Sequence, residues 1–557
     1  MRRLAFVLSV VIGSLMLLVG GVAAALIGPD DTVSASPIEV PAAAKVAVTA
    51  PDLFPFRNTT LHLTAASTGG AVFLGTANPV DVDSYLSNVT RYHVHRLGVG
   101  GGTGSVKDGE LAVPGLSPET TTFWVDSVTG AGEQSLDVPL TGDLFTIAVV
   151  PVGEPGAISF SVGVTLGGAF RAAVGVAAVG LLLVAVPLVW RRRAAAGASP
   201  GEPGHPGVRE GAADPQSTST IEEARNAAVH RAQKLSVLGF VGAVALTGCS
   251  SLPQPATLPT EPPTQVAIQL DDVPAALASY DERNNAARTL SAGSFDPSGW
   301  AAADMGPVLR SDEFDTAYRK AVGTPEASPP GTHTADAVYS PAFDAYPMWF
   351  MMVGTPTTDG VEPDPAAATG RILVFERASV VEPWRMSRAV GLPNDERPTP
   401  LPVGPASTAS DAQELAAVAA MESVRNFLAT GTVTTVMPDE NLTAVREDFA
   451  RDHDDASVGA LTVTPIGSAE DPTGPDGAIR LVAVEGGALA TITFDYQYNV
   501  YPSAGNTLHY TDGAFAQATG QVGERQTLSN KSVVTVAVSI PDDGPPVALN
   551  SWPFPVL

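Results

Sequence analysis

Ala232-Gln-Lys234, followed by Leu235-Ser-Val-Leu-Gly-Phe-Val-Gly-Ala-Val-Ala-Leu246-Thr247-Gly248-Cys249-Ser250-Ser251, divides the chain. A short basic segment, an apolar core and then Leu-Thr-Gly-Cys is the layout of a bacterial lipoprotein signal. Gly248 lets a peptidase approach the peptide bond. Cys249, the only cysteine in 557 residues, supplies the thiol that would carry a diacylglycerol, so it is the candidate lipidation residue. With a single Cys, no disulfide forms within the chain. The competing reading of 235–249 is a short buried or re-entrant helix, because a full span needs about twenty apolar residues. A core helix would show a polar face at helical spacing, and Leu235 to Leu246 has only Ser236 to offer. Such signals normally begin a chain. A mid-chain position therefore fits either a true fusion or two adjacent reading frames joined in one.

Charge is partitioned around that segment. The net charge is −27. Residues 28–167 carry 5 basic and 14 acidic side chains, residues 191–234 carry 7 and 5, and residues 250–557 carry 16 and 39. Basic excess thus falls in 191–234 and at Arg2-Arg3, where the positive-inside rule puts cytoplasm, and both large regions are expected to be extracytoplasmic. Neither has the basic field that phosphate backbones need, so no nucleic acid is expected as a partner.

Upstream, Ala172 to Trp190 is uncharged and bounded by Arg171 and Arg191-Arg-Arg193, a transmembrane helix of about 28 Å with its C-terminal end inside. Leu4 to Gly28 is a second apolar run, and both a cleaved signal peptide and an uncleaved anchor helix fit residues 1–28. Between them, residues 29–165 alternate β-rich runs with turn residues: 61–65, 71–74, 92–97, 122–125, 134–138, 145–150 and 157–162. That spacing predicts an all-β sandwich with one short helix at 81–86 capped by Asp81, and a glycine-rich hairpin tip from Gly98 to Gly104. Val72-Phe-Leu-Gly-Thr-Ala, Val82-Asp-Ser-Tyr-Leu and Phe123-Trp-Val-Asp-Ser, with Gly130 and Gln134, resemble uncharacterised actinobacterial membrane proteins with one extracytoplasmic β domain. The resemblance spans about residues 55–190 and implies architecture and export only.

Downstream of a Gly/Pro/Ala-rich linker at 191–234 and of the signal-like segment 235–249, residues 250–268 read as a Pro-rich tether. Residues 270–400 then place helices (274–290, 314–322) before strand-like runs (337–339, 348–353, 371–375). Residues 410–545 repeat that order, with helices at 412–428 and 441–451 and strands at 461–463, 479–484, 488–496 and 532–538. Helices before an antiparallel sheet, twice, predict a tandem of two α+β domains. With Phe375-Glu-Arg-Ala-Ser and Glu382-Pro-Trp-Arg385 closing its first half, this region is similar to actinobacterial lipoproteins with cystatin-like or nuclear-transport-factor-like cones. That resemblance implies a cone, often with a pocket, and no activity.

Constellations of chemistry are sparse. His93-Val-His95 puts two imidazoles on one strand face, without further ligands at metal spacing. Asp452-His-Asp-Asp455 reads as the polar end of a helix, with a cation site or acid/base pair as its alternative. Asp81 and Asp83 lack the remainder of a calcium loop. Met348-Trp-Phe-Met-Met352 fits a strand buried on both faces, or else a cavity lining. No catalytic, cofactor-binding or metal residues are assigned.

The expected protein is a multidomain, multi-pass cell-membrane protein: a non-enzymatic binding or assembly module at the outer face, partnered by the lipid bilayer and by an envelope protein or cell-wall ligand. The alternative is an enzyme or accessory acting on a cell-wall or lipid substrate in a cone pocket. A cavity with two or more convergent ionisable groups of shifted pKa favours that alternative. The lipoprotein reading predicts palmitate labelling that Cys249→Ala abolishes. Each buried methylene contributes about 0.8 kcal/mol, so two acyl chains hold a domain durably where one does not. Undiminished labelling of the variant would sink that reading.

Overall fold

The computed structural model describes residues 2–98, 101–196, 254–323, 329–358, 370–392, 397–455 and 457–557. Cys249, the signal-like segment 235–249 and residues 197–234 of the linker lie outside the described residues. The chain forms two compact units, one from Met1–Pro79 with Leu86–Glu261 and one from Val80–Tyr85 with Pro262–Leu557.

Among the described residues of the first unit, two helices are long and apolar enough to cross a membrane, over Phe6–Ile27 and Ala169–Arg193. They belong to the helices Arg2–Ile27 and Ala169–Ala196, which pack on each other through small residues. A Cβ added at Gly13 would stand 2.8 Å from the Gly180 carbonyl, and one at Gly20 would stand 2.5 Å from the Ala177 nitrogen. Glycine is what lets these backbones approach. Asp31 opens the second helix: its carboxylate accepts the N–H groups of Gly168 (2.9 Å) and Phe170 (2.7 Å), which hold its carboxyl below the usual range.

Between the helices the chain is β-rich. One sheet runs Thr32–Ser34, Ile158–Thr165, Thr59–Ser67 and Gln134–Leu140, with Ile38–Glu39 also on Ile158–Thr165. The other runs Gly101–Lys107, Arg91–Gly98, Val46–Thr49, Thr146–Val152, Ala71–Ala77 and Asp126–Ala131. Leu61, Leu63 and Phe160 of the first share one core with Val72, Leu74 and Ile147 of the second. Alternate residues of Thr59–Ser67 are buried, the period of a half-buried strand.

Three expectations fail locally. Residues 122–125 are not a strand; the strand begins at Asp126, and Trp124 instead folds back so that its indole N–H donates to the Pro118 carbonyl (3.1 Å) and to Thr121 (2.8 Å). Gly101, Gly102 and Gly104 are in a strand rather than a tip, because Gly104 faces Val94, where a Cβ would collide with the His93 carbonyl. Asp81 does not cap its helix, Pro79–Tyr85; it lies in the first turn, buried, and accepts the Tyr346 hydroxyl at 2.8 Å within the second unit. The proline-rich tether is also not a free spacer throughout. Gln254–Pro255 pairs with Phe56–Arg57, and Gln265–Val266 pairs with Ala342–Phe343.

The second unit mixes α and β. Helices Val273–Ser294, Trp300–Ala303 and Gly306–Val322 precede an antiparallel sheet of Gly331–Tyr339, Met348–Thr358, Gly370–Arg377 and Arg385–Leu392. Helices Asp411–Thr430 and Glu440–Asp455 then precede a sheet centred on Gly487–Tyr501 and Leu528–Pro541. Every residue from Met348 to Val353 is buried, and alternation explains how. Met348, Phe350 and Met352 face a core with Val273, Leu277 and Tyr280 of the first helix. Trp349, Met351 and Val353 face Val482, Leu489 and Ala537 of the other sheet. The edge strands Arg385–Leu392 and Val547–Pro555 were not anticipated, since neither shows clean alternation of apolar residues.

A buried charge cluster sits at the contact of the two sheets. Glu376 receives Arg480 through Nε (3.1 Å) and Nη2 (2.8 Å) and the Ser387 hydroxyl (2.6 Å). Arg388 donates to the carbonyls of Ala478 (2.9 Å) and Thr491 (2.6 Å). Burial alone would raise Glu376, but the Arg480 charge and hydrogen bonds, then Arg388 and Ser387, more than reverse it and hold the carboxyl below 4.5. Burial, then the Arg480 charge, pulls Arg388 down to about 9, with Glu376 opposing.

Glu376→Gln leaves two buried cations without their counter-charge and should cost about 3–5 kcal/mol, read as a fall in the denaturant midpoint of the full chain. A carboxyl with a depressed folded pKa stabilises above its unfolded value, so the wild-type contribution is full above about pH 4.5 and lost as pH falls through the folded value. The variant should lack this acid-side loss.

Candidate functional site

A cavity of about 480 Å³ opens between the helices and sheet of 273–392, with Trp552 and Phe554 closing one side. Helical spacing sorts the side chains of Val273–Ser294 into two rows. Asp281, Asn285 and Arg288 recur at one-turn intervals and meet strand Gly331–Tyr339; Asn285 exchanges two 2.8 Å hydrogen bonds with the Gly331 backbone. Tyr280, Asn284 and Ser291 form the neighbouring row along the cavity.

Two acid–base groupings result. His333 Nδ1 stands 2.6 Å from Asp281 Oδ1, and the His333 backbone N–H donates to Oδ2 at 3.0 Å. Asp281 is buried and the imidazole nearly so. Since a carboxylate only accepts, Nδ1 is the donor, the ring is fixed in one orientation, and Nε2 is left for the cavity that His333 lines. The second grouping is Tyr280, Asp304 and Asp312. The Tyr280 hydroxyl donates to Asp304 Oδ1 at 3.0 Å. Asp304 Oδ2 is buried without an N–H or hydroxyl donor, and the Asp312 carboxyl adjoins Asp304. Burial pushes Asp304 up to about 7 against the pull of Tyr280, Asp312 and Arg283. Burial first, then the charges of Asp304 and Asp315, push Asp312 well above the carboxylate range, and the two carboxyls titrate as a pair. Burial and Asp304 also raise the Tyr280 hydroxyl.

The walls add Arg288, Arg319 and Arg371. Arg319 is paired with Asp315 at 2.6 Å on an exposed helix face. Arg371 lies 5.0 Å over the Trp552 ring, and burial lowers its guanidinium.

A second cavity of about 460 Å³ is lined by Tyr496, Tyr498, Tyr510, Asp448 and Asp452. Here Asp452 accepts the Tyr498 hydroxyl (2.7 Å) and the Asn530 amide (3.2 Å); the side chains of 453–455 lie outside the described residues. The matched helix, strand and cavity pattern falls within one family model. The chain belongs to the domain of unknown function family DUF8094, which matches residues 272–552. No curated protein and no solved structure matches the chain.

The DUF8094 region therefore holds both cavities except for their edge at residues 553–555. The remaining sequence candidates lie elsewhere or in the core. His93 and His95 face each other at 4.5 Å, His95 bonds Ser105 at 2.8 Å, and no cluster of three metal-binding side chains occurs among the described residues. Met348 to Met352 is core, not cavity lining. Sequence reasoning missed Tyr280, Asp281, Asp304, Asp312 and His333; their only signal was a buried-face Asp and Tyr on a helix otherwise patterned for the core.

A carboxyl raised in the folded state binds its proton where the unfolded chain has lost it. Stability from Asp304 is thus full below about pH 3.8 and lost as pH rises through about 7, and that from the raised Asp312 declines in the same direction. Asp312→Asn, neutral at every pH, should flatten that decline; denaturant midpoints at pH 5 and pH 8 measure it, and an unchanged difference between them would refute the raised proton affinity of Asp312.

Proposed function

We propose that this is an envelope protein held at the membrane by its two apolar helices, with a β-sandwich between them and the DUF8094 region outside as a tandem of cystatin-like cones. In this reading the lipid bilayer is its standing partner, Cys249 a further anchor, and the first cone binds a small polar ligand. The observation that supports it is the 480 Å³ cavity, a size suited to a small molecule, with polar groups converging on an apolar wall.

A second reading, catalysis on a cell-wall or lipid substrate, is favoured by the same walls. Tyr280 and Asp312 both have raised pKa values and converge on one cavity, which is the condition set above for an enzyme. In that case His333, oriented by Asp281, takes a proton through Nε2, and protonated Asp312 gives one; the two are general base and general acid.

Native mass spectrometry of the full chain extracted from its membrane tests both. A small-molecule adduct is expected on wild type and lost on Ala389→Trp, which fills the cavity; an adduct unaffected by the filling removes the cavity as the site. If the site is catalytic, Asp312→Asn should carry an adduct of different mass, substrate in place of product, whereas plain binding leaves the mass unchanged. Reporter fusions after residues 150, 210 and 400 test the orientation, and a cytoplasmic signal at 400 would defeat it.

A further inference from the structure

We infer that the cavity takes an organic anion, a carboxylate or phosphate head on an apolar body, with the Arg371 guanidinium on the Trp552 ring as anchor for the head. The inference rests on the cavity being the ligand site and specifies what enters it.

Charge is the first argument. Residues 250–557 carry 39 acidic side chains against 16 basic. The cavity reverses that balance: three arginines line it against two carboxyl groups, and with Arg319 and Asp315 paired at 2.6 Å, Arg288 and Arg371 stand against Asp312 alone. An anion drawn to this otherwise acidic surface meets its favourable potential here.

The second argument is the state of Arg371. Strand alternation puts it on the same face as Leu373, toward the helices and away from the sheet contact that holds Ile372 and Val374. Among the described residues it has no carboxylate partner, its one described interaction is the Trp552 face, and burial alone shifts its pKa. A half-buried guanidinium with no counter-charge is costly, and an entering anion removes that cost. The ring fixes the plane of the guanidinium, which leaves its fork of N–H donors to receive two oxygens of a carboxylate or phosphate side by side.

The third argument is the remaining wall. Trp300, Leu373 and Met386 line the cavity beside Trp552 and offer an apolar surface. A free inorganic ion would leave that surface wet, and a neutral amphiphile would leave Arg371 uncompensated. An anionic head with an apolar body satisfies both.

Isothermal titration of the full chain in amphipol with octanoate, octyl phosphate, 1-octanol and inorganic phosphate tests this. The two anionic amphiphiles should bind at least about tenfold more tightly than 1-octanol or inorganic phosphate, as one charge-assisted bidentate contact implies. Whichever of octanoate and octyl phosphate binds more tightly identifies a fatty acid or a lipid phosphate as the source of the head. Arg371→Gln should remove the preference for anions while keeping 1-octanol binding, which also shows that the variant is folded. Arg371→Lys should restore part of it, since it keeps the charge and loses the fork. If 1-octanol matches the anions and Arg371→Gln changes nothing, while Ala389→Trp abolishes binding, the cavity remains the site and the anion inference falls. Tighter binding of inorganic phosphate than of either amphiphile also overturns it. If no probe binds wild type, or Ala389→Trp leaves all binding intact, both the inference and the cavity reading fall.

Discussion

The second unit depends on a central strand with no solvent face. Strand Met348–Thr358 sends alternate residues into two different cores, one shared with its own helices and one with the following sheet. A strand in that position has to be apolar without interruption, and six consecutive buried residues from Met348 to Val353 are the result. The same requirement constrains what polar groups can stand at the contact between sheets. Glu376, Arg388 and Arg480 are tolerated there because each charge is met by an opposite charge or by backbone carbonyls. Hydrophobic burial holds the sheets together without fixing their register; directional bonds from Arg388 to the Ala478 and Thr491 carbonyls add the register.

The cavity follows from where that packing stops. The helix Val273–Ser294 covers the middle of the sheet with Leu277 and Tyr280 and leaves a volume toward the Gly331 end of the sheet, where polar side chains of the helix meet the strand ends. Groups there are shielded enough to have shifted proton affinities and open enough to be reached. Asp304 and Asp312 illustrate the point: burial raises the proton affinity of both, whereas the exposed Asp315 and Arg319 on the next turn form an ordinary surface pair.

The first unit solves a different problem. Its two apolar helices approach through Gly13, Gly20 and Gly180, so their association relies on backbone proximity and close packing rather than on a difference in polarity. Asp31 joins that pair to the β region, because the residue just before the first strand also supplies the cap of the second helix.

How much of this was legible in the sequence follows the range of each signal. Uninterrupted apolar length gave both long helices to within a few residues, and short apolar, β-branched runs gave the central strands, including Ile479–Val484 at its observed bounds. The doubled order of helices and strands in 270–545 was likewise local information. Trp124, Gly104 and Asp81 were misread because their conformations answer to the Phe73 ring, to a carbonyl across a strand pair and to the distant Tyr346, which composition does not record. The cavity was invisible for a stronger version of the same reason. Tyr280, Asp312, His333, Arg371 and Trp552 come from five separate elements and share no spacing. In one dimension a buried Glu376 or Asp304 is identical to a solvated one. Periodicity therefore determined which segments would be buried, and only the folded chain decided which polar groups would be buried with them, since desolvation and pairing are properties of three-dimensional neighbours.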